Sequence, residues 1–146
     1  MTKIIYKNIE QILPHRHPML MIDSYKKIDN NTASSVIQLK QDNYGCENGY
    51  VLESMLIESV AQTVAAHFGY KSLMKEENDP DIGMLTSVDT FIFYEKIKDT
   101  SIIDIRIFKT DEIGAFKLIS GDIRVNEKLV AKGRIKIFNP GERVNN

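Results

Sequence analysis

The chain has 146 residues but only one cysteine, Cys46. A lone cysteine excludes an intrachain disulfide framework and a multi-cysteine metal site. An excess of one charge sign is also missing. Nineteen Lys and Arg oppose 20 Asp and Glu, leaving a formal net charge of -1. No polyanion-binding field results, so nucleic acid is not an expected partner. No apolar run approaches the roughly 20 residues of a membrane span. The opening residues, Met1 to Asn8, lack the long apolar segment of a signal peptide. There is no internal repeat and no low-complexity tract. What remains is a single cytoplasmic domain over 1–146, long enough for a real core. No cofactor is expected.

The pattern then supplies positive signals. A short helix near Asn8 to Leu13 should stop at Pro14, because the residue before a proline disfavours the helical region. Met19 to Ile28 and Thr32 to Leu39 read as two strands around an Asp29-Asn30-Asn31 turn. A long helix is expected from about Leu52 to Phe68, with Gly69 as its C-cap. Lys75 to Asp81 is a polar loop, and the tail over 139–146 reads as frayed. Between them the apolar period is two. Ile103, Ile105 and Ile107 alternate with polar residues, as do Ile119, Gly121, Ile123 and Val125, and Ala131, Gly133, Ile135 and Ile137. These are antiparallel strands with one face in water. Asn126-Glu127-Lys128 is a tight connection between the last two. Gly121, Ala131 and Gly133 should let a helix approach the sheet closely. The expected class is α+β, one antiparallel sheet wrapped around one central helix.

That helix carries a carboxylate in apolar surroundings. Ser54, Glu58 and Gln62 are four residues apart and so share one face. Their neighbours include Met55, Leu56, Ile57, Val60, Ala61 and Val64, so the helix should be buried nearly all round. A buried carboxylate without a partner costs several kcal/mol, about 2–7 for a polar group in general, or stays protonated. Glu58 and Gln62 either satisfy each other and the backbone, or wall a pocket where Glu58 is acid, base or anchor. Ser54 either caps the helix or lends an N–H at its positive end to a substrate carbonyl. His67 reads as a helix-end histidine favoured by the dipole. A second stretch places His15 and His17 between Pro14 and Pro18. His-x-His alone is a poor metal set without further histidines or cysteines, and no metal is expected.

Taken together these stretches resemble the hot-dog-fold beta-hydroxyacyl-acyl-carrier-protein dehydratases. Leu13-Pro14-His15-Arg16-His17-Pro18-Met19-Leu20-Met21-Ile22-Asp23 is similar to the family's Leu-Pro-His-Arg-Tyr-Pro-Phe-Leu-Leu-Val-Asp. Leu56-Ile57-Glu58-Ser59-Val60-Ala61-Gln62 is similar to its Ile-Leu-Glu-Ala-Met-Ala-Gln. The resemblance covers about Ile9 to Phe138. It implies a dimer joined edge to edge, homodimeric or with a related hot-dog subunit. It implies sites at the interface, at the mouth of an acyl tunnel, and an acyl carrier protein as the partner that brings a 3-hydroxyacyl thioester. In that family the helix glutamate handles the departing hydroxyl, and a histidine from the other subunit exchanges a proton at C2. By position, Ser54 would supply the N–H for the thioester carbonyl.

The family's Gly-His-Phe-Pro-Gly segment has no counterpart here. Counting back from Glu58 puts Tyr44 at the histidine position, and no histidine lies between His17 and His67. Three readings follow. The chain is a dehydratase whose base is His15, His17, Tyr44 or Cys46. It is a catalytically weak subunit that lends Glu58 to a histidine-bearing partner. Or it is a hot-dog thioesterase, in which Glu58 activates water. The setting is fatty-acid synthesis or a specialised polyketide or polyene pigment pathway.

Overall fold

Period-two alternation does become long antiparallel strands, and they wrap the helix. A computed structural model describes residues 4–39, 45–75 and 84–138. In chain order the elements are β1 (Ile5–Tyr6), a 3-10 turn (Ile9–Gln11), β2 (Ser24–Lys27), β3 (Thr32–Gln38), β4 (Cys46–Glu47), β5 (Tyr50–Val51), α1 (Glu53–Lys75), β6 (Met84–Phe93), β7 (Ile102–Ile113), β8 (Phe116–Val125) and β9 (Lys128–Phe138). Seven strands form one antiparallel sheet in the order β1-β2-β3-β7-β8-β9-β6. α1 packs against β2, β3, β6 and β7. Asn126 and Glu127 both take positive φ, 50° and 68°. Both central residues of a type I′ hairpin turn need this.

One row across the sheet shows how the helix is seated. Ile107, Gly121, Gly133 and Phe91 lie side by side on β7, β8, β9 and β6. A Cβ on Gly121 would come within 2.8 Å of Val60 Cγ1, so the helix does rest where β8 has no side chain. Gly133 differs from the expectation. Its open space is filled by the Phe91 ring, 2.1 Å from where a Cβ would stand, and not by the helix. Ile103, Ile105, Ile123, Ile135 and Ala131 complete a fully buried layer beneath α1.

The first half departs from expectation in three places. The predicted N-terminal helix is only the 3-10 turn Ile9–Gln11. The predicted strand Met19–Ile28 is a strand only over Ser24–Lys27. In place of a neighbouring strand, Gln62 takes the Met19 carbonyl and the Met21 N–H, and the Arg16 carbonyl takes the Met19 and Leu20 N–H groups. The helix does not end at Gly69 but runs to Lys75. Gly69 is there for proximity: a Cβ would lie 2.0 Å from the Ile12 carbonyl oxygen. Tyr70, one residue on, packs its ring against Tyr6 and Tyr25 and extends the buried contact. The hairpin of β4 and β5 turns at Asn48-Gly49, both at positive φ (54° and 83°). That is the strongest short hairpin signal in a sequence. The loop predicted over Lys75 to Asp81 loses Lys75 to the end of α1, and its remainder, like the tail over 139–146, lies outside the described residues.

Candidate active site

Two lines of polar side chains run along α1, each with a spacing of four. Ser54, Glu58 and Gln62 form one. Ser59, Thr63 and His67 form the other, which the sequence reading did not single out. Both follow from 3.6 residues per turn.

Gln62 organises the first line. Its Oε1 accepts the Met21 N–H at 2.8 Å, and its Nε2 donates to the Met19 carbonyl at 2.8 Å. These backbone partners fix which end of the amide is which, since only the NH2 can donate. The remaining N–H of Nε2 points to Glu58 Oε1 at 3.0 Å. Glu58 thus has one oxygen held by a neutral donor, while Oε2 is left for other work. His15 Nε2 lies 3.7 Å from the same Oε1. The turn that presents His15 is pinned by Arg16, whose guanidinium donates to the Leu13 and His15 carbonyls at 2.8 Å and to the Glu10 carbonyl at 3.2 Å.

A cavity of about 120 Å³ opens beside this pair, walled by Ala61, Ala65, Leu85 and Ile137 and ending at Phe68. Glu58 and His15 are both about one-third exposed, at 35% and 31% of their side chains. His15 Nδ1 is itself buried and has no hydrogen-bond partner among the described residues. A proton on Nδ1 would be a buried donor without an acceptor, at a cost of about 1–3 kcal/mol. The proton of a neutral His15 therefore sits on Nε2, facing Glu58.

The other sequence-selected residues fall elsewhere. His17 is exposed and does not line the cavity. Ser54 is exposed in the first turn of α1, one turn before Glu58. It does not cap the helix, because Leu52 is the residue whose carbonyl accepts the first N–H bonds, from Met55 and Leu56. The Ser54 N–H is one of the first-turn donors that a helix leaves without an internal acceptor. Tyr44 lies outside the described residues. Cys46 is half-buried in the hairpin, and burial, then the nearby Asp99, push its thiol up. It is therefore no activated thiolate, against the reading that made it a possible base. Leu85 and Ile137 were not singled out as walls. Ile137 had an inward alternation to mark it, while Leu85 reaches the helix only through the fold.

The second line is closed. His67 Nε2 donates to the Asn30 carbonyl at 2.9 Å, so its Nδ1 accepts from the Tyr25 hydroxyl at 2.6 Å. Burial holds the His67 pKa below its ordinary value, with Lys71 and Lys27 adding to the effect. Burial, then Tyr70, holds the Tyr25 phenol above its own, so it stays a donor. His67 is a structural histidine, although its role is set by these two bonds and not by the helix end. Among the described residues no three His, Cys, Asp or Glu side chains cluster as a metal site. No described helix is long and apolar enough to cross a membrane.

Comparison with known proteins places this geometry. A model of ApeP-like proteins, described as ApeP dehydratase, matches residues 7–146. The chain belongs to the ApeP-like dehydratase family. This ApeP-like chain is 24% identical over 129 residues to the 3-hydroxyacyl-[acyl-carrier-protein] dehydratase FabZ of Natranaerobius thermophilus, covering 87% of itself and 91% of that protein. It is 25% identical over 143 residues to the FabZ of Anoxybacillus flavithermus, covering 94% and 97%. In fold it is similar to a chain of the dehydratase heterocomplex ApeI:P from Xenorhabdus doucetiae, with a TM-score of 0.80 at 19% identity over 94% of this chain and 97% of that one. An uncharacterised Pyrococcus horikoshii protein, PH1136, shares the fold at a TM-score of 0.68 and 13% identity, over 95% of each chain. The hot-dog architecture and the dehydratase resemblance of the two motifs thus hold: this is a divergent, dehydratase-like hot-dog protein.

Proposed function

We propose that this ApeP-like chain is the Glu58-bearing subunit of a cytoplasmic dehydratase acting on 3-hydroxyacyl thioesters of an acyl carrier protein. The observation that carries the reading is the Glu58 carboxyl, held at one oxygen by Gln62 and open at the other beside an apolar cavity. Eliminating water breaks the C2–H bond and the C3–O bond and forms a double bond between C2 and C3. One group must take the C2 proton, and another must give a proton to the departing hydroxyl. Glu58 suits the second role when Oε2 carries the proton. Gln62 donates to Oε1 and so favours the proton on the other oxygen. The relatives named as 3-hydroxyacyl-[acyl-carrier-protein] dehydratases support the substrate class.

The base is best sought in a second subunit. His15 presents Nε2–H to Glu58, a donor where a base needs a lone pair. It suits holding the Glu58 carboxylate after the proton has left. The cavity points the same way. At about 120 Å³ it is well below the roughly 300–1,000 Å³ of a typical ligand site, so one protomer makes only part of the site. Its wall residue Leu85 sits on β6, an edge strand of the sheet. β6 also exposes Val88 and Ile92, each 41% accessible. An edge strand with apolar side chains and unpaired backbone groups is a template for pairing. A related hot-dog subunit seated there would complete the cavity and bring its own histidine, as a heterodimer. The similarity to a dehydratase heterocomplex chain supports that partner over a second copy of this one.

The test is an elimination and hydration assay on a short acyl-carrier-protein substrate. It is run with this chain alone, with a histidine-bearing hot-dog homologue alone, and with the two mixed. Turnover that needs the mixture, and is lost with Glu58→Gln, is expected. Full activity in a mixture carrying Glu58→Gln would overturn the assignment. Release of free thiol without elimination would replace it with thioester hydrolysis.

A further inference from the structure

The cavity has one polar end and one apolar end. Glu58 and His15 line the first, and Phe68, the last residue of α1 along the cavity, lines the second. Along α1 the two ends are ten residues apart, about 15 Å of helix rise. Between them the helix offers Ala61 and Ala65, one turn apart, which leave room where a larger side chain would fill the groove. Such a space suits a narrow hydrocarbon chain.

Phe68 is 4% exposed, and its ring is backed by a charge. Lys117, on β8, is 7% exposed and places Nζ 4.7 Å from the Phe68 ring centroid. The same ammonium lies 4.0 Å from Glu112 Oε1, which holds it in place. A cation over an aromatic face is attracted by the ring quadrupole, more strongly when desolvated. The ring is thus held by a buried cation as well as by its packing. Lys117 pairs across the sheet with Ile137, a wall of the same cavity, so clamp and cavity share one neighbourhood. Swinging Phe68 aside would cost this contact and would bring an acyl chain against an ammonium.

We propose that the Phe68 ring, clamped by Lys117, is the floor of the acyl site and sets the longest chain it accepts. This rests on the acyl substrate proposed above and adds the group that limits its length. Removing the ring deepens the cavity, and it also ends the deeper cavity in a positive charge.

The experiment is direct binding of straight-chain 3-hydroxyacyl pantetheine thioesters, short, medium and long, to the full-length chain paired with the histidine-bearing homologue, read by calorimetry against the homologue alone. Wild type should bind more tightly with each added carbon and then lose affinity abruptly. Phe68→Leu and Phe68→Ala should move that limit to longer chains. The long-to-short affinity ratio should change by about tenfold or more, since one methylene in an apolar pocket is worth about 10- to 200-fold. Ala65→Leu should move the limit the other way, which keeps the test decisive if Phe68→Ala fails to fold. A long chain ending in a carboxylate should gain affinity in Phe68→Ala and lose that gain in Phe68→Ala with Lys117→Met. An unchanged limit in folded Phe68→Leu and Ala65→Leu overturns the floor, while the Glu58→Gln assay still stands for the function. A limit that moves in a pair without elimination activity supports the floor and overturns the function. No binding of any chain length beyond that of the homologue alone overturns both.

Discussion

The two polar lines of α1 use the same spacing and reach opposite ends. In the line of Ser59, Thr63 and His67 every side chain is buried and every group is paired. The Ser59 hydroxyl donates to the Met55 carbonyl, and the Thr63 hydroxyl donates to the Ser59 carbonyl, both at 2.8 Å. Ser35 reaches the Thr63 hydroxyl at 2.6 Å, and His67 is held at both nitrogens. In the line of Ser54, Glu58 and Gln62 only Gln62 is saturated. Among the described residues, Glu58 Oε2 has no hydrogen-bond partner, and neither has Nδ1 of His15 beside it. A polar group with all partners supplied by the protein rigidifies a core. One left half-satisfied at a cavity has bonding capacity for a substrate. The contrast between His67 and His15 makes the point within one residue type.

The largest effect should come from the open line. Glu58→Gln keeps size and hydrogen bonding but removes the exchangeable proton. It should lower turnover by about 10²–10⁴-fold, the usual worth of a positioned acid or base, with little change in melting temperature. An equal loss of stability and activity would place Glu58 with the closed line instead.

Gln62→Leu tests the joint between the two behaviours. It leaves the Met21 N–H and the Met19 carbonyl without the partners they now have. Each buried orphan costs about 1–3 kcal/mol, so unfolding in denaturant should shift to a clearly lower midpoint. Turnover should fall as well, because Glu58 Oε1 loses its donor. Gln62→Glu should recover stability only in part, since a carboxyl cannot both donate to Met19 and accept from Met21 while bonding Glu58.

How much of this was legible in the sequence follows from the same contrast. The spacing of Ser54, Glu58 and Gln62 was visible, as was the motif around His15, since both depend on positions within one helix or one turn. Their meeting across the fold was only implied by the family resemblance. The spacing of Ser59, Thr63 and His67 was equally visible, yet its meaning was not. It depends on Ser35, Tyr25 and Asn30, which reach the helix only through the register of β2 and β3. Gly69 shows the same limit. A glycine after a helical run reads as a cap, but here the Ile12 carbonyl passes too close for a Cβ. Met19 to Ile22 has the composition of a strand, but the Arg16 carbonyl and Gln62 take the backbone groups of its first three residues. The strands β7, β8 and β9 were the most legible part, because alternation along each strand states its own buried face.

Tyr25→Phe probes the closed line. The ring stays in the core, and His67 Nδ1 loses its donor. Stability should fall by about 1–3 kcal/mol with kcat/KM unchanged, measured on the same preparation. Any selective loss of turnover would mean that the buried line reaches the reaction.

The smallest effect is a pH dependence, and it tests the closed line without touching the cavity. Burial first, then Lys71 and Lys27, hold the folded His67 pKa below its ordinary value, while the Asn30 carbonyl and Asp29 oppose this. An unfolded histidine titrates near 6.5. Between that value and the lower folded one, the unfolded chain binds a proton that the folded chain does not. Stability therefore rises with pH across this window, and is lost as pH falls below about 6.5. Each pKa unit of difference is worth about 1.4 kcal/mol. His67→Gln should flatten that slope. Parallel denaturation curves for wild type and His67→Gln across this range would show that His67 is not kept neutral by the fold, and the distinction between the two lines would then rest on pairing alone.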